Sequence, residues 1–347
     1  MNDRRSLTSP SFAMAAHPEA NSEGKIFAMP QDANTAAART ELPNTAADEI
    51  RQRAIALGYD PDRAVWRLAY GSFVSLERRY AFVETPKAAC TTLKHLVAKL
   101  ENAEPDLSSL RRYRETRRYM LIHDRHLLRV PSILEVGDSI RSAIIDPHPD
   151  WFVFAIVRNP FSRVVSVFEN KVRLGEPGYS HLEQRYGDRG PFTDVADAFR
   201  AFVAEIVGCP NEMSADTHLP PQVDMLMPGL VAYTRIFYME RLDELYIAFR
   251  QHLARLGQAV DLQPERLNAS LPHANWRCYY DEASAATVAR IYAEDFRTFG
   301  YDPKEWRPTE GTPPMVPESE SIRQWRREVV ERNAVIDDLY EQGRLVP

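Results

Sequence analysis

The sequence predicts an α/β fold built on a mostly parallel sheet with helices on both faces. Three observations lead there. Short apolar runs alternate with helically spaced segments over residues 50–300. One run, Trp151 to Val157, is apolar on both faces, as a central parallel strand must be. The chain has 347 residues, 44% hydrophobic and 27% charged, which is enough to bury a large core and too apolar for disorder along most of its length.

Taken in order, residues 1–48 are rich in Ala, Asn, Ser, Asp and Thr and cannot offset their ordering entropy by burial, so they read as a flexible arm. The body is expected over 49–307. Arg79 to Glu84 is strand-like, a Pro-containing turn follows, and Leu93 to Leu100 has helical spacing. Tyr119 to Ile122 reads as a second strand ending at His123. The central run gives way at Arg158-Asn159-Pro160 to a helix with Phe161, Val164, Val165 and Phe168 on one face. A strand near Arg235 to Tyr238 precedes a helix from about Leu242 to Leu256. Phe192, Phe199 and Phe202 are read as core. Val288, Ile291, Tyr292, Phe296 and Phe299 recur at helical spacing before Gly300, the expected C-terminal cap. Residues 308–317 are a Pro-rich linker, and a last helix over about 318–342 sets Ile322, Trp325, Val329, Ile336 and Leu339 on a stripe. That helix is expected to pack back on the body or against a second copy, forming a homo-oligomer. GYDP occurs at Gly58 and again at Gly300, which is too little for a repeat architecture.

Composition removes several function classes. Forty-three basic against 49 acidic residues leave a net charge of −6, which argues against a general nucleic-acid or polybasic membrane binder. Three widely spaced cysteines, Cys90, Cys209 and Cys278, form neither a disulfide framework nor a zinc pattern and suit a reducing compartment. The first twenty residues hold no apolar core of a secretory signal, and the longest apolar stretch, seven residues, falls short of the roughly 20 of a membrane span. The expectation is a cytoplasmic protein without a transmembrane segment.

In parallel sheets ligands sit at the carboxyl ends of strands, which directs attention to two segments. The first runs from Glu84 to Lys94 (ETPKAACTTLK): a strand end, a tight loop of small residues and a helix start. Small side chains let amides converge on an anion, the helix N-terminus adds positive potential, Thr91 and Thr92 offer hydroxyls, and Lys87 a full charge. The loop is a phosphate cradle without the Walker pattern GxxxxGK(S/T), and no GxGxxG occurs. The bland alternative is an ordinary strand-to-helix turn. The second segment runs from Val157 to Lys171 (VRNPFSRVVSVFENK), where Arg158 leaves the strand and Ser166 follows about two helical turns on. An arginine fork and a hydroxyl from one unit can grip a phosphate. Here the alternative is that Arg158 and Arg163 satisfy carboxylates on the helix surface.

In this order, the two segments resemble the sulfotransferases that use 3′-phosphoadenosine-5′-phosphosulfate (PAPS), and more closely the carbohydrate sulfotransferase branch, sulfotransferase family 2. PKAACTTLK resembles the 5′-phosphosulfate loop, and RNPFSRVVSVFENK the 3′-phosphate element, with Asn159 where the family usually has Asp. Weaker echoes are Asp216 to Gln222 (DTHLPPQ) and Ile291 to Tyr301 (IYAEDFRTFGY). The resemblance covers about 79–302 and implies a P-loop-NTPase-like sulfotransferase fold.

It further implies sulfuryl transfer from PAPS to an acceptor hydroxyl by in-line displacement, leaving 3′,5′-ADP, with no metal required. Lys87 would neutralise charge on the leaving oxygen. Ala88, Ala89, Cys90, Thr91 and Thr92 would hold the 5′-phosphate and sulfonate, and Arg158 with Ser166 the 3′-phosphate. A hydroxyl acceptor needs a base, for which His123 is the first choice, at the expected strand end. His126 follows it closely, and related glycan 2-O-sulfotransferases carry such a pair. His218 is the rival, and Glu84 and Asp124 are carboxylate alternatives. Cys90 lacks the following arginine of a phosphatase-like loop, that position being Leu96, and reads as a small loop residue. Residues 111–118 (RRYRETRR), with Arg125 and Arg129, are either a solvated helix face or a basic wall for an anionic carbohydrate. Two other classes compete: a nucleotide-dependent kinase, disfavoured by the missing Walker loop, and a non-catalytic nucleotide-binding or assembly protein.

Overall fold

The computed structural model describes residues 44–103, 122, 123, 125, 128–209, 217–258, 260, 262, 275–308 and 318–341. Residues 1–43 of the expected arm, 309–317 of the linker, Arg111 to Arg118, Tyr119 to Leu121, Asp124, His126 and Asp216 lie outside them.

Helix α1, Asn44–Ala56, begins inside the segment read as the arm. Helix α2, Pro61–Gly71, starts where its sequence directs: Asp60 accepts a hydrogen bond from the Arg63 amide, and Pro61 takes the first position, where no intrahelical amide is needed. It runs straight into β1, Ser72–Ser75, an antiparallel edge strand absent from the sequence reading because SFVS follows the helix with no turn residue between them. Next come β2, Tyr80–Val83, and α3, Cys90–Leu100. Ile122 and His123 lie in a 3₁₀ turn rather than at the end of a strand, which corrects the expectation at that point.

Helix α4, Asp138–Ile145, leads to β3, Phe152–Val157, buried along its whole length. Helix α5, Pro160–Val167, widens into a π-helical turn at Phe168–Val172. Helices α6, Ser180–Tyr186, and α7, Val195–Phe202, precede the short α8, Gln222–Leu226, and β4, Arg235–Tyr238. Helix α9 spans Leu242–Arg255. The expected closing helix is two helices, α10, Glu282–Ile291, and α11, Ala293–Phe299, because Tyr292 leaves helical backbone while its hydroxyl donates to the Leu219 carbonyl at 2.6 Å. Gly300 caps α11 at φ +69, a conformation that favours glycine. The last helix is α12, Glu320–Glu341.

Among the described residues the sheet has the order β1-β2-β3-β4, with β2, β3 and β4 parallel. Side chains alternate across it with the two-residue strand period. Ala81, Val83, Val153, Ala155 and Val157 pack toward α1, α2 and α4. Tyr80, Phe82, Phe152, Phe154 and Ile156 face α3 and α9, where the Phe154 ring lies 5.2–5.4 Å from those of Phe82, Phe152 and Phe249. A third core joins α5, α7, α10 and α11 through Phe161, Phe168, Phe199 and Phe202, with Phe192 partly buried against it.

Helix α12 packs back on the body. Its buried face runs through Arg326, Val329, Val330 and Asn333, offset from the expected stripe, and Trp325 is 43% exposed. The offset arises because polar anchors seat this helix. No described helix is long and apolar enough to cross a membrane.

Candidate active site

Because β2 and β3 are parallel neighbours, the loops leaving their carboxyl ends meet. Residues 84–89 join β2 to α3 with two non-glycine residues in the left-handed region, Lys87 at φ +68 and Ala89 at φ +59. Such positions cost about 1–3 kcal/mol each and persist only where the surroundings enforce them. Three arginines do so by donating to the loop's carbonyls. Arg67 Nη2 reaches Glu84 O at 2.7 Å, Arg163 Nε reaches Pro86 O at 3.2 Å, and Arg158 Nη1 reaches Lys87 O at 3.2 Å. No side chain caps α3 at Ala89, so the positive end of this helix faces the loop. The Ala88 amide is already used, donating to Thr85 O at 3.2 Å, while the Thr85 hydroxyl is buried without a partner.

Arg158 holds the two predicted motifs together. Its Nε donates to Ser162 Oγ at 2.9 Å, and its backbone is paired in both directions with the Gln222 amide at 2.8 Å. Gln222 and Val223 in turn donate their backbone N–H to the buried Asp295 carboxylate at 2.8 Å. The two weaker sequence echoes therefore meet at Arg158. Burial lowers Arg158 to about 10, still charged near neutral pH. The alternative that Arg158 and Arg163 satisfy carboxylates on the helix surface does not describe them: Arg163 is buried, and both donate to carbonyls, Arg158 also to a hydroxyl. Arg163 also donates to Pro220 O at 3.0 Å and His218 O at 2.7 Å. Asn159 shows why an amide serves where the family has a carboxylate: its oxygen caps the Phe161 amide, and its nitrogen donates to Glu305 at 2.7 Å. Ser166 is buried on α5, with no side-chain hydrogen bond among the described residues.

Lys87 Nζ donates to Asn170 Oδ1 at 2.5 Å. Burial, aided by the Lys171 ammonium, pulls Lys87 down to about 7. Asn170 and Lys171 come from the π-helical turn, where Lys171 pairs with buried Glu176. Burial pushes the Glu176 carboxyl upward, but Lys171 and Lys87 outweigh it and its pKa falls. A few residues on, Tyr179 Oη meets His218 Nδ1 at 3.0 Å.

His123 lies against α3, with Nε2 2.9 Å from Thr91 Oγ1 and Nδ1 3.0 Å from Lys94 Nζ. Lys94 is paired with Glu84 at 2.7 Å, both buried. Burial works against the Lys94 ammonium, but Glu84 prevails and its pKa rises. An ammonium can only donate, so His123 Nδ1 accepts and its ring proton is on Nε2, facing Thr91. Burial, then Lys94, Lys171, His218 and Lys87, push His123 down to about 2, so the imidazole is neutral. Glu84, Cys90 and His123 offer ligand atoms within 4.8 Å of one another, a spacing that could hold a metal ion. The Lys94 ammonium lies against two of those three groups.

The structure thus gathers Lys87, the Ala88 to Thr92 helix start, Arg158, His123 and His218, while His126 lies outside the described residues. Sequence reasoning missed Arg163, Lys94, Asn170, Lys171, Glu176 and Gln222 as site residues. Arg163, Lys94, Asn170, Lys171 and Gln222 all stood inside the quoted motifs. Glu176 carried no local signal, because its importance comes only from contacts in the fold.

A buried, cation-rich cradle at the ends of two parallel strands defines an anion-binding α/β protein. The family comparison makes the class specific: the sulfotransferase family model matches residues 71–302, and the chain belongs to that family. Relatives include carbohydrate sulfotransferase 10 of Xenopus laevis, 26% identical over 256 residues, and that of Gallus gallus, 26% identical over 249. The Homo sapiens protein of the same name is 26% identical over 252 residues. In each case the match covers 66% of this chain and 66% of the relative's length. No solved structure matches the chain.

Proposed function

We propose that the protein transfers a sulfuryl group from PAPS to a hydroxyl of a carbohydrate. The observation that carries this reading is the union of the strained Lys87 loop with Arg158: Arg158 Nη1 donates to the Lys87 carbonyl, which joins the two cations of the two motifs in one loop. Both belong to motifs resembling those of PAPS-dependent enzymes, and the carbohydrate acceptor follows from the names of the relatives.

In the reaction the acceptor oxygen attacks sulfur, its proton passes to a base, and the bond from sulfur to the phosphate oxygen breaks with its electron pair. The products are the sulfate ester and 3′,5′-ADP. Lys87 and the α3 amides stabilise the charge left on the 5′-phosphate, a preorganised electrostatic contribution. Arg158 and Ser166 hold the 3′-phosphate. Burial, with Lys94, Lys171 and Lys87 nearby, keeps His123 neutral although Glu84 lies close to it, and a polyanionic donor shifts that balance toward proton uptake. In this reading His123 and His218 are the two candidate bases on the cleft, and His123 serves once the contact from Lys94 that occupies its Nδ1 lone pair is released. No role is assigned to a metal, since Lys94 supplies the cation between Glu84 and His123. A cytoplasmic location is part of the same proposal and rests on the spacing of Cys90, Cys209 and Cys278 in the sequence, which is not that of a disulfide framework.

Calorimetric titration with 3′,5′-ADP and 5′-AMP tests the donor site. The 3′-phosphorylated nucleotide should bind preferentially, and Arg158→Ala should weaken it at least about ten-fold, the order of a lost charge-assisted contact. Equal binding of the two nucleotides would sink the assignment.

A further inference from the structure

We propose that helix α12 is a positioning element of the active site, clamping residues 168–180 at both ends and thereby setting Asn170, Lys171, Glu176 and Tyr179 against Lys87 and His218. The inference rests on the reading of Lys87 as a site lysine. It concerns a helix outside residues 71–302, the part of the chain that matches the family.

At the front of the segment, the Glu169 carboxylate accepts from Tyr279 Oη at 2.6 Å and pairs with Arg173 at 2.8 Å and with Arg326 of α12 at 3.7 Å. Arg326 is only 1% exposed and also pairs with Glu318 and, at 3.7 Å, Asp188. Toward the rear, Asn333 Nδ2 donates to Leu174 O at 2.8 Å. Asp337 accepts from the Gly178 amide at 2.7 Å and from Ser180 Oγ. Three of these anchors adjoin or nearly adjoin a site residue: Glu169 precedes Asn170, Leu174 stands two before Glu176, and Gly178 precedes Tyr179. Between them lie the contacts that face the cradle, from Asn170 to Lys87, Lys171 to Glu176, and Tyr179 to His218.

The chemistry of the anchors distinguishes a clamp from general packing. A cavity of about 680 Å³, lined by Arg173, Asp188, Glu318 and Val330 among others, lies between α12 and the body, so apolar contact does not seal this interface. Directional hydrogen bonds and a buried charge cluster hold the helix instead. Such groups contribute little net stability but specify one register.

The test reads Lys87 directly. Its ammonium faces Lys171 and Glu176 from the clamped segment, Cys90 from α3 and Arg158 from the end of β3, with His123 close by. Competitive acetylation across pH, read by mass spectrometry at Lys87, should give a midpoint near 7 in the intact chain. In Arg326→Leu the segment loosens, water reaches Lys87, and the midpoint should rise toward that of an ordinary lysine. Amide hydrogen exchange over 168–180 should accelerate at least ten-fold, with β3 unchanged, and Arg326→Lys should restore both. If Arg326→Leu does not fold, Asn333→Ala carries the same test from the other end. A folded variant that keeps the midpoint and the exchange rates would overturn the proposal. Neither readout needs a nucleotide, so failure of 3′,5′-ADP to bind would remove the donor assignment and leave these results to stand or fall alone.

Discussion

Lys87 combines a left-handed backbone with a buried ammonium, and both are unfavourable without an anion. An incoming donor relieves the second by raising the pKa of the lysine, so nucleotide binding takes up a proton above the free pKa. Affinity for 3′,5′-ADP should be full below pH 7 and fall, by up to about ten-fold per pH unit, as pH rises beyond it. Lys87→Met should flatten this profile in calorimetry and reduce turnover by roughly two to three orders of magnitude. A flat profile in the unaltered protein would mean that Lys87 does not face the nucleotide. Lys87 and Arg158 were legible in the sequence because small residues and an arginine at strand ends have a local chemical meaning. Lys94 and Glu176 were not, since a lysine four residues into a helix and a glutamate in a loop look solvated until the fold buries them.

At the scale of elements, three separate stretches of chain converge on one arginine. Asp295, on α11, accepts the first amides of α8, and α8 presents Gln222 to the Arg158 backbone. Asp295→Ala should strand these buried donors, destabilising the protein by about 1–3 kcal/mol per orphaned group in denaturant unfolding. It should also weaken 3′,5′-ADP binding, although Asp295 lies one residue removed from Arg158. Wild-type affinity in a measurably destabilised variant would show that the junction is structural only. Strongly patterned elements were readable: β3 by its unbroken apolar run and α9 by its periodicity, while α10 and α11 were read as one helix. Strand β1 and the turn at His123 were not, because four residues carry almost no periodic signal.

Across the whole molecule, the sheet is a rigid platform whose strongest packing lies beneath the site rather than in it. Phe154→Ala should cost about 3–5 kcal/mol by leaving a cavity among Phe82, Phe152 and Phe249. A loss below 1 kcal/mol in denaturant unfolding would show that this cluster is not close-packed. That α12 returns to the body was one of two readings of its sequence. Its polar anchoring was unreadable, because Asn333 and Asp337 pair with residues 157–159 positions earlier in the chain, and Arg326 pairs with Glu169 and Asp188 as well as with nearby Glu318. Synthesis runs at roughly 5–20 residues per second, so on the order of ten to thirty seconds separate the emergence of the two partners. Strand β4 and the junction of Gln222 and Asp295 at Arg158 emerge within that interval, and the helix that steadies one wall only after them. The anchors from the tail are thus the last contacts to the site that translation makes available.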